Sequence, residues 1–269
     1  MMFPGIDTAM VTGASSGIGA TYADRLARRG FNVVLVARDV TRLRELANRL
    51  SRQMNVRADV LQADLTNRLD IARVEKRLRG DESMKMLVNS AGVGPRGRLL
   101  DNDIDHLDRM IALNVTAMNR LAVAAAQAFA ARRNGAIINI ASIALFRPGA
   151  YSGTYSATSA FVLTLTIGLS AELADKGVRV QAVLPGITRT ELFARAGYPV
   201  SIDNMDQSTV MDAGDMVDAA LAGFDQGELV TIPSLPDSKD WDALINAQSA
   251  LIPNLSHDRP AARYGVKRP

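Results

Sequence analysis

The sequence predicts an α/β fold, a doubly wound parallel sheet of about seven strands with helices on both faces. Two observations predict it. Short apolar runs alternate along the chain with stretches of helical periodicity, the pattern of βαβ units with right-handed crossovers. The runs are also nearly continuously apolar, which suits strands covered on both sides and not strands with one wet face. In order, the predicted strands are Thr8–Thr12, Asn32–Ala37, Val56–Leu61, Met86–Asn89, Ala136–Ala141 and Val178–Leu184, with a seventh at Glu228–Ile232 closing the edge.

Between them lie helices. The stretch Ala20–Arg29 follows the first strand, and Asp39–Leu50 places Leu43, Leu46, Ala47 and Leu50 on one face, as Arg68–Leu78 does with Ile71, Val74 and Leu78. Two longer segments, Asp105–Arg133 and Gly153–Lys176, are rich in Ala, Leu and Ile on more than one side. Such helices need a second burial partner, either the core alone or a second subunit, so a homodimer or homotetramer is expected. Residues 190–211 read as a polar segment carrying Leu192, Phe193, Tyr198 and Met205, suited to a substrate lid. Helices at Asp215–Phe224 and Asp240–Leu251 follow, the second in a carboxyl-terminal tail from 233. With no repeat or linker to divide it, the whole of 1–269 is expected to form a single domain.

Of the 269 residues 48% are apolar and 22% charged, the balance of a folded globular chain. There is no cysteine, and His106 and His257 are the only histidines, so neither a disulfide framework nor a transition-metal site is expected. Met1–Gly5 lacks the features of a secretory signal, and no later stretch is expected to reach bilayer-spanning length, so a cytoplasmic location without membrane attachment is the expectation. The formal charge is +3 and the arginines are dispersed, which argues against nucleic-acid binding despite a pI near 9.4.

The first strand runs into Thr12-Gly13-Ala14-Ser15-Ser16-Gly17-Ile18-Gly19 and then a helix. Glycines there let the backbone turn sharply and approach a pyrophosphate, whose charge is favoured by free N–H groups and the helix N-terminus. A tight turn alone could also require them; the strand–loop–helix context is what points to a Rossmann-like dinucleotide site. The second strand ends in Ala37-Arg38-Asp39, with no acid at position 37 to take ribose hydroxyls. Arg38 instead offers planar donors to a 2′-phosphate, favouring NADP(H) with NAD(H) still possible, while Asp39 is suited to cap the next helix.

Further motifs resemble those of the short-chain dehydrogenase/reductase family over about Ala9 to Leu192. Asp64 with Leu65 is similar to its adenine-contacting pair, and Asn89-Ser90-Ala91-Gly92 to its Asn-Asn-Ala-Gly turn. Asn114 falls where the family carries a structural and proton-relay asparagine. Ser142 and Tyr155 match its catalytic serine and tyrosine, and Pro185-Gly186-Ile187-Thr188, with Thr190 beyond, resembles its nicotinamide-contacting loop. The resemblance implies an oxidoreductase acting on a small-molecule carbonyl or alcohol. The chemistry is sound in itself: a serine hydroxyl can orient a carbonyl oxygen and a phenol can exchange the proton that accompanies hydride transfer.

One position departs. The run Tyr155-Ser156-Ala157-Thr158-Ser159 has serine where the family has Tyr-x-x-x-Lys. A lysine four residues on shares the tyrosine's helix face and favours phenolate; serine has no charge to do so. Three readings stay open: an NADP(H)-dependent oxidoreductase slowed at Ser159, one in which Arg147 or Arg96 fills the gap, or a non-catalytic NADP-binding or interaction protein.

Overall fold

The computed structural model describes residues 7–149 and 152–266, so the Met1–Gly5 run lies outside the described residues. The chain divides into two compact units, Met1–Pro233 and Ser234–Pro269.

In the first unit a seven-stranded sheet, parallel throughout, has the order β3-β2-β1-β4-β5-β6-β9. Its strands are β1 (Thr8–Thr12), β2 (Asn32–Ala37), β3 (Ala58–Gln62), β4 (Met84–Asn89), β5 (Gly135–Ile140), β6 (Val178–Val183) and β9 (Val230–Thr231). A separate pair, β7 (Ile187–Arg189) and β8 (Val210–Asp212), was not expected from the sequence. Three residues each are too few to show a period.

Helices α1 (Gly17–Arg28), α2 (Val40–Met54) and α8 (Ala213–Gln226) cover one sheet face, burying Tyr22, Leu26, Leu43, Leu50, Val217 and Phe224. Helices α3 (Arg68–Gly80), α5 (Met118–Arg132) and α6 (Gly153–Leu173) cover the other with Ile71, Leu78, Leu121, Phe129 and Leu169. The expected doubly wound sheet is therefore present. Chain direction across the sheet reverses between β1 and β4, which opens a crevice at the carboxyl ends of those strands, where ligands bind in such folds.

Several details differ from expectation. The segment read as one helix over 105–133 is α4 (Ile104–Ile111), a π-helical stretch Ala112–Ala117, and α5. The last strand is two residues long, not five: only Ala182 and Val183 of β6 pair with it, and Glu228 turns back to accept from the Thr231 hydroxyl at 2.6 Å. A further correction concerns α6. Its 21 residues are long and apolar enough to span a bilayer by length and composition. One side is nevertheless committed to the core through Val162, Thr166, Leu169 and Leu173, while Ala157, Ala160, Thr164, Ile167, Gly168 and Ala171 are exposed.

The second unit carries α9 (Ser238–Ser249), which starts two residues before the expected position because Asp237 caps it, accepting from the Lys239 N–H at 2.9 Å. No residue of α9 is buried.

Candidate active site

One cavity of about 830 Å³ lies in the first unit over the crevice. It collects Gly13, Ser15, Ser16, Gly17, Ile18 and Gly19 from the glycine loop, and Arg38, Asp64 and Leu65 from the ends of β2 and β3. Ala91 and Gly92, Asn114, Ser142, Tyr155, Ser159, and Pro185 to Thr188 with Thr190 complete it. Of the residues matched to cofactor-binding or catalytic positions in the sequence, Asn89 alone is set back from the cavity. It is 1% exposed, and its amide donates to Asn139 Oδ1 at 3.0 Å, part of a buried chain that continues to Thr166.

The glycine loop has the geometry the sequence argument required. Gly13 and Gly17 adopt φ of 68° and 51°, where a side chain is strained. A Cβ on Gly19 would lie 2.4 Å from the Gly13 carbonyl oxygen, so only glycine allows this closeness of helix and loop. Helix α1 starts at Gly17, three residues earlier than expected, which brings its N-terminus to the loop; Ser16 makes no side-chain cap bond there. The first N–H groups of α1 are thus not taken by a capping side chain, the arrangement that suits a bound anion. The Thr12 hydroxyl secures the opposite wall, donating to the Val88 carbonyl and accepting from the Ser90 and Ala91 N–H groups at 3.0 Å each.

At the far end of β2, Arg38 is exposed and its guanidinium makes no hydrogen bond among the described residues. Asp39 caps α2 as expected, accepting from the Arg42 N–H at 3.0 Å. Burial works against charge on the Asp64 carboxyl, but the N–H and hydroxyl of Thr66, at 2.9 and 2.7 Å, outweigh it with Arg38 assisting, and its pKa is lowered.

On the other side of the crevice stand the proton-handling candidates. Ser142 lies two residues beyond β5 and its Oγ accepts from the Ala144 N–H at 3.1 Å, which leaves its own proton to donate. Tyr155 is half-buried in the first turn of α6. Its carbonyl accepts from the hydroxyls of Thr158 and Ser159 at 2.8 and 3.1 Å. Ser159 thereby spends its proton on its own helix and is 4% exposed. Asn114 sits in the π-helical stretch, whose wider turn re-aims it toward the β4 loop. It accepts from the Val93 N–H at 2.9 Å and donates to the Val93 carbonyl at 3.0 Å, a two-point clamp that fixes the loop.

Of the stretch 190–211, Thr190 to Phe193 and Arg195 line the cavity. A Cβ on Gly17 would meet the Thr190 side chain at 3.0 Å, helix α7 (Leu192–Ala196) follows, and Glu191 accepts from Arg42 at 2.8 and 3.1 Å while pairing with Arg195. Arg96, His106, Arg109, Leu113, Ile143, Leu192 and Phe193 also line the cavity, and of these Arg109, Leu113 and Ile143 had drawn no notice in the sequence. Arg147 does not line it. Arg96 does, but its Nε is tied to the Ala196 carbonyl at 2.7 Å.

A family model described as short chain dehydrogenase matches residues 7–198. The chain belongs to the short-chain dehydrogenase family. As a member it is an oxidoreductase, and the family expected from its motifs is the family found. This short-chain dehydrogenase is 34% identical over 225 residues, 83% of its length and 93% of the relative's, to an uncharacterized oxidoreductase of Staphylococcus saprophyticus. It is 47% identical to a short-chain dehydrogenase from Sphingobium yanoikuyae solved in complex with NADPH, with a TM-score of 0.91 covering 95% of this chain and 98% of that one. A bulky-bulky ketone specific alcohol dehydrogenase from Comamonas testosteroni is 46% identical, with a TM-score of 0.87 over 97% and 99% of the two chains.

Proposed function

We propose that this short-chain dehydrogenase is an NADP(H)-dependent oxidoreductase interconverting a ketone and a secondary alcohol, slowed because Ser159 stands where the family carries lysine. The observation that carries the reading is the single cavity joining Arg38 and the glycine loop to Ser142 and Tyr155. Its donor set fits the cofactor: a loop that only glycine can form, a helix N-terminus without a side-chain cap, and an unengaged guanidinium at the ribose end. The NADPH bound by the Sphingobium yanoikuyae relative supports the same choice. When bound, the nicotinamide supplies or receives the hydride.

The chain's own residues do the rest. Gly13 to Gly19 hold the diphosphate by backbone N–H groups, and Arg38 pairs with the 2′-phosphate. Asn114 fixes the loop at Val93, Ser142 donates to the carbonyl oxygen, and Tyr155 gives or takes the proton. Ser159 supplies no charge to favour phenolate. Residues 190–211 act as the lid of the catalytic unit Met1–Pro233, and the exposed small-residue side of α6 pairs with a second copy, giving a dimer or tetramer by light scattering. Thermal-shift titration tests the cofactor assignment: NADPH raises the melting temperature at lower concentration than NADH, and Arg38→Ala removes the difference. Equal response to both, or to neither, would overturn it.

A further inference from the structure

One end of the cavity, where Arg96, His106 and Arg109 lie together, holds charge that the reaction does not use. Arg96 spends Nε on the Ala196 carbonyl and has no ion-pair partner among the described residues. Arg109 meets only a 3.8 Å contact with Asp103, and both arginines line the cavity. Glu191, a carboxylate that also lines the cavity, is already held by Arg42 and Arg195. Beside Arg96 lies His106, 3% exposed, with Nε2 buried and without a hydrogen-bond partner. Burial, then the nearby charge of Arg96, lowers its pKa and keeps the imidazole neutral. The positive charge of this end therefore rests on arginine.

A buried polar atom without a partner in a ligand cavity is the mark of a group meant to meet something polar. An unpaired guanidinium there specifies the sign. The phosphates of a dinucleotide already have the glycine loop, the start of α1 and Arg38. The walls of the same cavity include Leu113, Ile143, Leu192 and Phe193, which suit a hydrocarbon spacer.

We propose that Arg96, bordered by His106, receives an anionic group of the substrate, so that the substrate class is a ketone or secondary alcohol carrying a carboxylate. The assignment rests on the oxidoreductase reading for which end holds the reacting carbonyl. The Nε bond to Ala196 places the guanidinium against α7, so substrate charge and lid position meet at one side chain.

Calorimetry on the full chain with NADP⁺, a combination in which a ketone cannot react, separates binding from turnover. The probes are benzoylformate, 3-benzoylpropanoate and 4-benzoylbutanoate, each beside its methyl ester. At least one acid binds about tenfold or more tighter than its ester. Arg96→Ala erases that preference and leaves ester and NADP⁺ affinities in place, while Arg96→Lys recovers part of it. Esters binding as tightly as acids at every length would overturn the proposal, as would an Arg96→Ala variant that weakens acid and ester equally, since that is the signature of a lid anchor alone. The comparison is repeated without cofactor. Failure of NADP⁺ to bind then strikes the oxidoreductase reading, while the acid–ester difference still decides the subsite.

Discussion

A lysine at position 159 would rise from the helix face that carries Tyr155, since residues four apart on α6 lie one above the other. Ser159 is 4% exposed but lines the cavity, so a longer side chain has open space to enter without displacing the core. With its ammonium about 5 Å from the phenol oxygen and an effective dielectric of about 20, opposite charges attract by about 3 kcal/mol. That lowers a phenol pKa, about 10 in water, by about two units. Well below either pKa the phenolate fraction then rises about a hundredfold, and alcohol oxidation, which needs phenolate as base, gains by about the same factor. The assay is NADP⁺-dependent oxidation of a secondary alcohol across pH 6 to 10, followed by nicotinamide absorbance, for the parent and Ser159→Lys. The rising limb of the pH profile moves down by about two units in the variant. Two results would refute the reasoning: a parent turning over at about 10 per second, the rate of an ordinary enzyme, or a variant that binds NADP⁺ normally yet keeps the parent's pH limb.

Arg38→Ala weakens NADPH about 10- to 100-fold, the loss of charge-assisted hydrogen bonds of about 1.5–3 kcal/mol, and leaves NADH within about twofold in fluorescence titration. Gly19→Ala forces a methyl to within 2.4 Å of the Gly13 carbonyl oxygen, and backbone cannot rotate away as a side chain can. The cost is about 1–3 kcal/mol in urea unfolding together with lost cofactor affinity; an unaltered dissociation constant would contradict the loop geometry. Ile167→Glu puts charge on the exposed side of α6, where it changes monomer stability by under about 0.5 kcal/mol but lowers the mass found by light scattering to that of one chain.

Elements that bury a continuous apolar run were legible before any coordinates. The strands at 8–12 and 32–37 coincide with β1 and β2 to the residue, because both ends are marked by a change from apolar to turn-forming chemistry. Helix α2 was legible for a second reason: Asp39 announces its start, and its side chain makes the expected cap. What escaped lacked local chemistry to announce it. The π-helical turn at Ala112–Ala117 occupies a stretch whose composition suits an α-helix equally well. Its cause is tertiary, since Asn114 satisfies both the N–H and the carbonyl of Val93, and re-aiming the side chain offsets the poorer helix geometry. The pair β7–β8 depends in the same way on residues 23 positions apart meeting, as Arg189 and Asp212 do at 3.0 Å.

The same distinction runs through the site. Residues that act through the backbone, such as Gly13, Gly17 and Gly19, are legible because a forbidden Cβ leaves glycine as the only choice, and that choice is visible in one sequence. Residues that act through charge are not, because an arginine reads alike whether it is solvated, paired or waiting for a ligand. Arg42, Arg96 and Arg195 are indistinguishable in the sequence, yet two of them close on Glu191 and one keeps its terminal nitrogens unpaired over the cavity. Ser159 falls between these cases. Its identity shows what the helix face lacks, but the fate of its hydroxyl, spent on the Tyr155 carbonyl at 3.1 Å, appears only in the fold. A serine committed in this way has no proton left to donate to a bound ribose and no charge to lend the phenol, so on the proposed function what the position lacks is a charge, which a single ammonium would supply.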